Sequence, residues 1–178
     1  ALGSVTLATL AAVVTVTLGL LLAYAQRLGH GRILKSAVGI AGIGYAIPGT
    51  ILALGLLLPL AGLDNAIDGA LRSLFGISSG LLLSGSLIIV VLAYSIRFLA
   101  VSLGALEAGL ARLSPNLDAA ARTLGETALS AVRRVHMPLL IPSLGAAGLL
   151  VFVDAMKELP ATLLLRPLNF ETLATQVY

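Results

Sequence analysis

The sequence predicts an all-α membrane protein, a polytopic bundle of transmembrane helices. Three observations carry that class. Hydrophobic residues make up 58% of the 178 positions and charged residues only 11%, against roughly 25% charged in a soluble domain. Mean hydropathy is +1.06. Basic residues gather in alternate connections between long uncharged runs, as the positive-inside rule requires of a chain that crosses a bilayer repeatedly.

Four runs are long enough to span, which takes about 20 helical residues. The first, near 4–25, carries no charge. It is too long for a secretory leader and has no basic segment before it. The second, near 37–60, contains Pro48 and Pro59, and "AIPGTILALGLLLPL" implies a helix broken or kinked at Pro48-Gly49. A membrane tolerates that only where neighbouring helices cover the freed carbonyls. The third covers 80–100 and the fourth 138–159. Arg27, Arg32 and Lys35 follow the first span, and Arg112, Arg122, Arg133 and Arg134 follow the third. Residues 26–36 and 111–137 are therefore cytoplasmic. Residues 62–79, with Asp64, Asp68 and a single basic residue, Arg72, form an outer loop. The chain enters from outside, and 160–178 lies on the outer side or dips back into the membrane. Small residues such as Gly39, Gly42, Gly44, Gly145 and Gly148 suit close helix packing. There is no internal repeat and no low-complexity tract. Beginning without Met and stopping in mid-pattern, the chain reads as one membrane domain, 1–178, cut from a longer polypeptide.

With no cysteine, disulfides, thiolate metal sites and thiol nucleophiles are excluded. No G-x-x-x-x-G-K phosphate loop is present, so nucleotide must bind on another chain. His30 and His136 stand alone on cytoplasmic segments, where surface roles are favoured over metal ligation, and no metal site is expected. An intramembrane enzyme would need a convergent nucleophile and base. The charged residues near the fourth span, Asp154, Lys157 and Glu158, are too close together on one helix to build one.

Two places invite a functional reading. In the first, residues 111–137, Ser114 caps a short helix, Pro115 opens it, and Leu117, Ala120, Ala121 and Leu124 share one face. Gly125 suits the left-handed position that ends it. A second helix follows, with Ala128, Leu129, Val132 and Val135 on one face, and Pro138 begins the fourth span. Neither helix is stable alone in water. Spacing leaves two readings open: an amphipathic hairpin lying on lipid phosphates, as in a sensor or scaffold, or a plug that fits another protein. The second place is Asp154, Lys157 and Glu158. A charge at the bilayer centre costs roughly 2.5–3.5 kcal/mol, so these residues either line a translocation path, paired on one helix face, or mark the wetted outer end of the span. Arg97 divides in the same way between lining the path and snorkelling to the cytoplasmic surface, and snorkelling is favoured.

"AAARTLGETALSAVRRVHMP" resembles the signature loop of ABC-transporter permeases of the importer type. That pattern is Glu-Ala-Ala, three residues, Gly, nine residues, Ile, one residue, Leu-Pro. Ala120, Ala121, Gly125, Val135, Met137 and Pro138 fall on it at matching spacing. Ala119 stands where the family has glutamate, which removes that carboxylate or shifts it to Asp118. "IPGTILALGLL" is similar to the second core span of these permeases, and "KELPATLLLRPLNFETLATQVY" to the ferric-iron branch, so the resemblance covers about 4–178.

The resemblance implies the type I importer (MetI-like) fold, a bacterial inner-membrane location and no bond chemistry in this chain. It makes 111–137 a coupling loop seated on an ATP-hydrolysing subunit, two such subunits per complex, with ATP the partner's ligand and no cofactor held here. It further implies a periplasmic substrate-binding protein and a second permease core, either in the same chain, as often in the ferric-iron branch, or from a second copy. No nucleic-acid partner is implied. The implied cargo is ferric iron; sister branches carry thiamine, sulfate, polyamines or phosphonates.

Overall fold

The computed structural model describes residues 2–29, 31–80, 82–167, 170 and 172–177; of Pro115, Asp118, Arg122, Ala128, Leu129, Gln176 and Val177 it describes the backbone alone. All regular structure in the described residues is helical. The order is α1 (Leu2–Leu28), α2 (Arg32–Ala46), α3 (Gly49–Phe75), α4 (Leu87–Ala111), α5 (Pro115–Thr123), α6 (Ala128–Ala131), a π-helical turn (Val132–His136), α7 (Met137–Lys157), α8 (Pro160–Leu165) and α9 (Leu173–Val177). Four of these segments are long and apolar enough to cross a membrane: α1, α3, α4 and the run Val132–Lys157.

The central post is α4, against which α1, α2 and α7 all pack. On α1 the buried side is a stripe of small residues, Ser4, Ala8, Ala11, Ala12, Thr15, Gly19 and Ala23, which recur at helical spacing. In lipid, where apolar surface gains little from leaving the solvent, close backbone approach of this kind drives association. Buried Thr15 and Ser95 meet hydroxyl to hydroxyl across the α1–α4 seam, 3.4 Å apart. Two apolar clusters result. One centres on Leu7, Ala53, Ile89, Tyr94, Phe98 and Val151, the other on Ala23, Leu103, Leu106, Leu110 and Leu140, nearer the ends that carry 111–137.

The break expected at Pro48 is present. α2 stops at Ala46, Ile47 and Pro48 are extended, and α3 begins at Gly49. The outer connection differs from expectation. α3 runs on through Pro59 to Phe75, so most of 62–79 is helix and not loop. The sequence there, rich in Gly, Asp and Asn, reads as a loop. Its two aspartates are instead occupied in catching the segment that follows. Asp64, 1% exposed, accepts backbone N–H bonds from Leu82 (3.2 Å), Leu83 (2.9 Å) and Ser84 (2.7 Å). One turn on, Asp68 accepts from the Ser79 (2.8 Å) and Gly80 (3.1 Å) amides and pairs with Arg72 at 2.7 Å. Gly76, at φ +67°, closes the helix in the left-handed conformation. The irregular segment before α4 is thereby clasped to the α3 flank.

Gly44 of α2 lies against the Ile96 carbonyl of α4, so close that a β-carbon there would collide with that oxygen, whereas Gly42 faces open space. Gly44→Ala should destabilise the detergent-solubilised protein by about 1–3 kcal/mol, read as a lowered thermal midpoint. Gly42→Ala, on the same helix, should leave the midpoint unchanged or raise it.

Candidate functional site

The signature segment forms a helical hairpin at one end of the bundle. The Ser114 hydroxyl accepts the Asn116 amide at 3.2 Å, which caps α5. At the other end of α5 the Glu126 amide bonds back to the Ala121 carbonyl (3.0 Å) and Leu124 to Ala120 (3.1 Å). Gly125 sits at φ +81°. This is a Schellman-type close, whose left-handed residue carries no β-carbon penalty as glycine.

The face expected on α5 splits in two. Ala121 is buried and Leu117 packs on the core. Ala119, Ala120 and Leu124 point outward, Leu124 at 83% exposure. Residues 117 and 121 share one side of the helix and 120 and 124 another, as i, i+4 spacing demands. The hairpin thus offers a small-residue patch with an apolar knob at its tip. The side chain of Asp118, the alternative carboxylate, lies outside the described residues, and so does His30.

The second arm is one continuous rod with the span. α6 passes through the π-helical turn straight into α7, so Pro138 sits inside a helix and does not open a separate one. The wide turn explains this. The Met137 amide bonds to the Val132 carbonyl, an i→i+5 link, and the widened ring relieves the clash that proline makes with the carbonyl four residues back. Val135 and Met137 are half-buried on this turn, and Pro138 is exposed.

Two bolts tie the hairpin to other spans. The Arg27 guanidinium, from the end of α1, donates to the Leu110 carbonyl at 3.0 Å and the Leu113 carbonyl at 3.4 Å, capping the α4 terminus with positive charge where the helix dipole favours it. His136 corrects the surface role expected of it: it is fully buried, its Nδ1 hydrogen-bonded to the Tyr24 hydroxyl of α1, with ring centroids 5.7 Å apart. The ends of α1, α4 and α7 therefore converge on this loop. Sequence spacing missed both contacts, since each joins residues far apart in the chain.

The second candidate set, Asp154, Lys157 and Glu158, does not stay together. Asp154 and Lys157 form a loose pair of 3.8 Å, with Lys157 largely exposed. Glu158 lies past the end of α7 and turns inward, at 8% exposure. Its partner is Arg97 of α4, whose Nε is 3.1 Å from Glu158 Oε2. Arg97 also donates to the Ile47 carbonyl. The snorkelling expected of Arg97 is thereby overturned: a buried carboxylate and a carbonyl freed by a helix break hold the guanidinium inside the bundle. Among the described residues no group of three or more His, Cys, Asp or Glu side chains could hold a metal ion.

No family model matches the chain. It is similar to the Fe(3+)-transport system permease protein FbpB 2 of Haemophilus influenzae, at 29% identity over 134 residues, 75% of this chain and 23% of that protein. It is also similar to the putative 2-aminoethylphosphonate transport system permease protein PhnV of Salmonella typhimurium, at 31% identity over 114 residues, 64% of this chain and 43% of that protein. Its homologues are ABC importer permeases. Together with the four apolar helices, they make this chain a multi-pass membrane protein. The chain spans less than half the length of either relative.

On the loop, the Ser130 hydroxyl, and then Arg134 at 2.9 Å, hold the Glu126 carboxyl below its ordinary range. A lowered native value means the contact contributes at neutral pH and is lost as pH falls through that value, below the usual 4.5. Amide exchange of 124–131, corrected for its intrinsic pH dependence, should stay slow through mildly acidic pH and accelerate only below that range. Glu126→Gln should show the faster exchange already at neutral pH.

Proposed function

We propose that this chain is the transmembrane core of an ATP-driven importer in a bacterial inner membrane, and that the loop 111–137, with Pro138 at its exit, is its coupling element. The observation that carries the reading is mechanical. An exposed patch of Ala119, Ala120 and Leu124 stands at the tip. Behind it, Arg27, the Tyr24–His136 contact and the unbroken α6–α7 rod tie the loop to three spans. A push on the tip reaches α1, α4 and α7 together, which is what alternating access needs from a rigid-body switch. Arg133 and Arg134 on the flanks are exposed, which supports a cytoplasmic position for this face. The patch would seat in a cleft of an ATP-binding subunit, two of them per complex. A periplasmic binding protein would deliver cargo on the opposite side, to a pair of cores.

Ferric iron is the proposed cargo, supported by similarity to the Haemophilus protein over three quarters of this chain. The Salmonella relative, at slightly higher identity over a shorter stretch, supports phosphonate as the second reading. ATP belongs to the partner subunit.

Gly125→Asp puts a β-carbon and a charge where φ is +81° and a partner cleft is proposed. In the full transporter it should abolish ATP-dependent uptake and weaken retention of the ATP-binding subunit on purification, while the amount of protein in the membrane stays normal. Undiminished uptake by that variant would sink the coupling role. Uptake of radiolabelled ferric iron by the wild-type complex, set against 2-aminoethylphosphonate, decides the cargo.

A further inference from the structure

Arg97 stands near the midpoint of α4, about 15 Å along the axis from Leu87, and so deep in any bilayer that this helix crosses. Two interrupted helices meet it there. One is the α2–α3 break, whose Ile47 carbonyl takes a hydrogen bond from Arg97. The other is the α7–α8 break, where Glu158 supplies the opposing carboxylate at 3.1 Å. The same break is held a second time by its backbone: the Glu158 carbonyl accepts the Tyr94 hydroxyl of α4 at 3.1 Å, and Thr162 closes the triangle with both. The Glu158 carboxylate lies over Gly49, where any β-carbon would collide with Oε1. That oxygen is buried and has no hydrogen-bond partner.

A bilayer core disfavours isolated charges and unsatisfied carbonyls alike, so such groups occur where they face one another or a passage. Here an arginine and a glutamate, joined across α4, close two chain breaks at one level. Helix breaks are the points where a span can bend. Resting on the permease reading, we propose that Arg97 and Glu158 form a charge latch across the translocation path, closed in this conformation and parted when the path opens. The pair is a positioning device: it fixes α8 and the start of α3 against α4, and its separation frees both breaks at once.

The chain has no cysteine of its own, so single cysteines report locally. Ala161, fully buried beside Gly49 and Glu158, is the probe site; Ala93, fully buried in the α4 core, is the control. In the full transporter in proteoliposomes, Ala161→Cys should react slowly with a small water-soluble thiol reagent at rest and faster during ATP turnover. Removing both charges, Arg97→Met with Glu158→Met, avoids the stranded ion that a single deletion leaves; because the Ile47 carbonyl also loses its donor, the Ala93→Cys control reads any loosening of the fold. In that background labelling of Ala161→Cys at rest should rise roughly tenfold, with Ala93→Cys unchanged. Labelling of Ala161→Cys at the resting wild-type rate in the double variant overturns the latch, and so does a parallel rise at Ala93→Cys, which would mark a general loosening. If the wild-type transporter moves no cargo while the double variant still unmasks Ala161→Cys alone, the permease reading fails and the pair is a clasp on the two breaks with no path to close.

Discussion

Everything in the middle of this molecule answers to one constraint: no water is available to a broken helix inside hydrocarbon. α2 and α3 part at Ile47-Pro48, and α7 and α8 part at Glu158-Leu159. Each parting frees backbone groups that the bilayer cannot solvate. Side chains of α4 meet the need. Arg97 bonds to one freed carbonyl and Tyr94 to another, and Glu158 neutralises the arginine that came to do it. The post around which the other spans pack is therefore also their source of polar partners. A purely apolar α4 would leave the Ile47 carbonyl without that donor and the Glu158 carbonyl with Thr162 alone.

The opposite end of the bundle follows a different rule. The hairpin 114–138 carries several charges, and its arms are too short to persist alone in water. It is shaped by attachments: the Ser114 cap, the Gly125 close, the buried His136 and the arginine that closes α4. Because the π-helical turn passes Pro138 without a joint, the second arm has the stiffness of the span itself. The loop is consequently part of the bundle and not a linker hung from it.

What could be read along the chain was what depends on neighbours along the chain. Composition alone sufficed for the helical membrane class. Pro48, Ser114 and Gly125 act on their own backbone, and the interruption, the cap and the left-handed close all stand where local chemistry puts them. Contacts across the chain were hidden. Arg97 and Glu158 are separated by most of α4, the hairpin and α7, so spacing grouped Glu158 with Asp154 and Lys157 instead. His136 looked like a surface residue because its partner, Tyr24, lies near the end of the first helix. The length of α3 was misjudged for a related reason. Aspartate and glycine usually signal a turn, but here Asp64 and Asp68 spend their lone pairs on another segment and leave their own helix intact.

Those two aspartates also tie the far end of the protein to a single helix. Residues 78–80 and 82–84 have almost no regular structure of their own, yet amides of Ser79, Gly80, Leu82, Leu83 and Ser84 are anchored on successive turns of α3. They stand as a fin on that helix, so a displacement of α3 would carry them with it and a grip on the fin would reach α3.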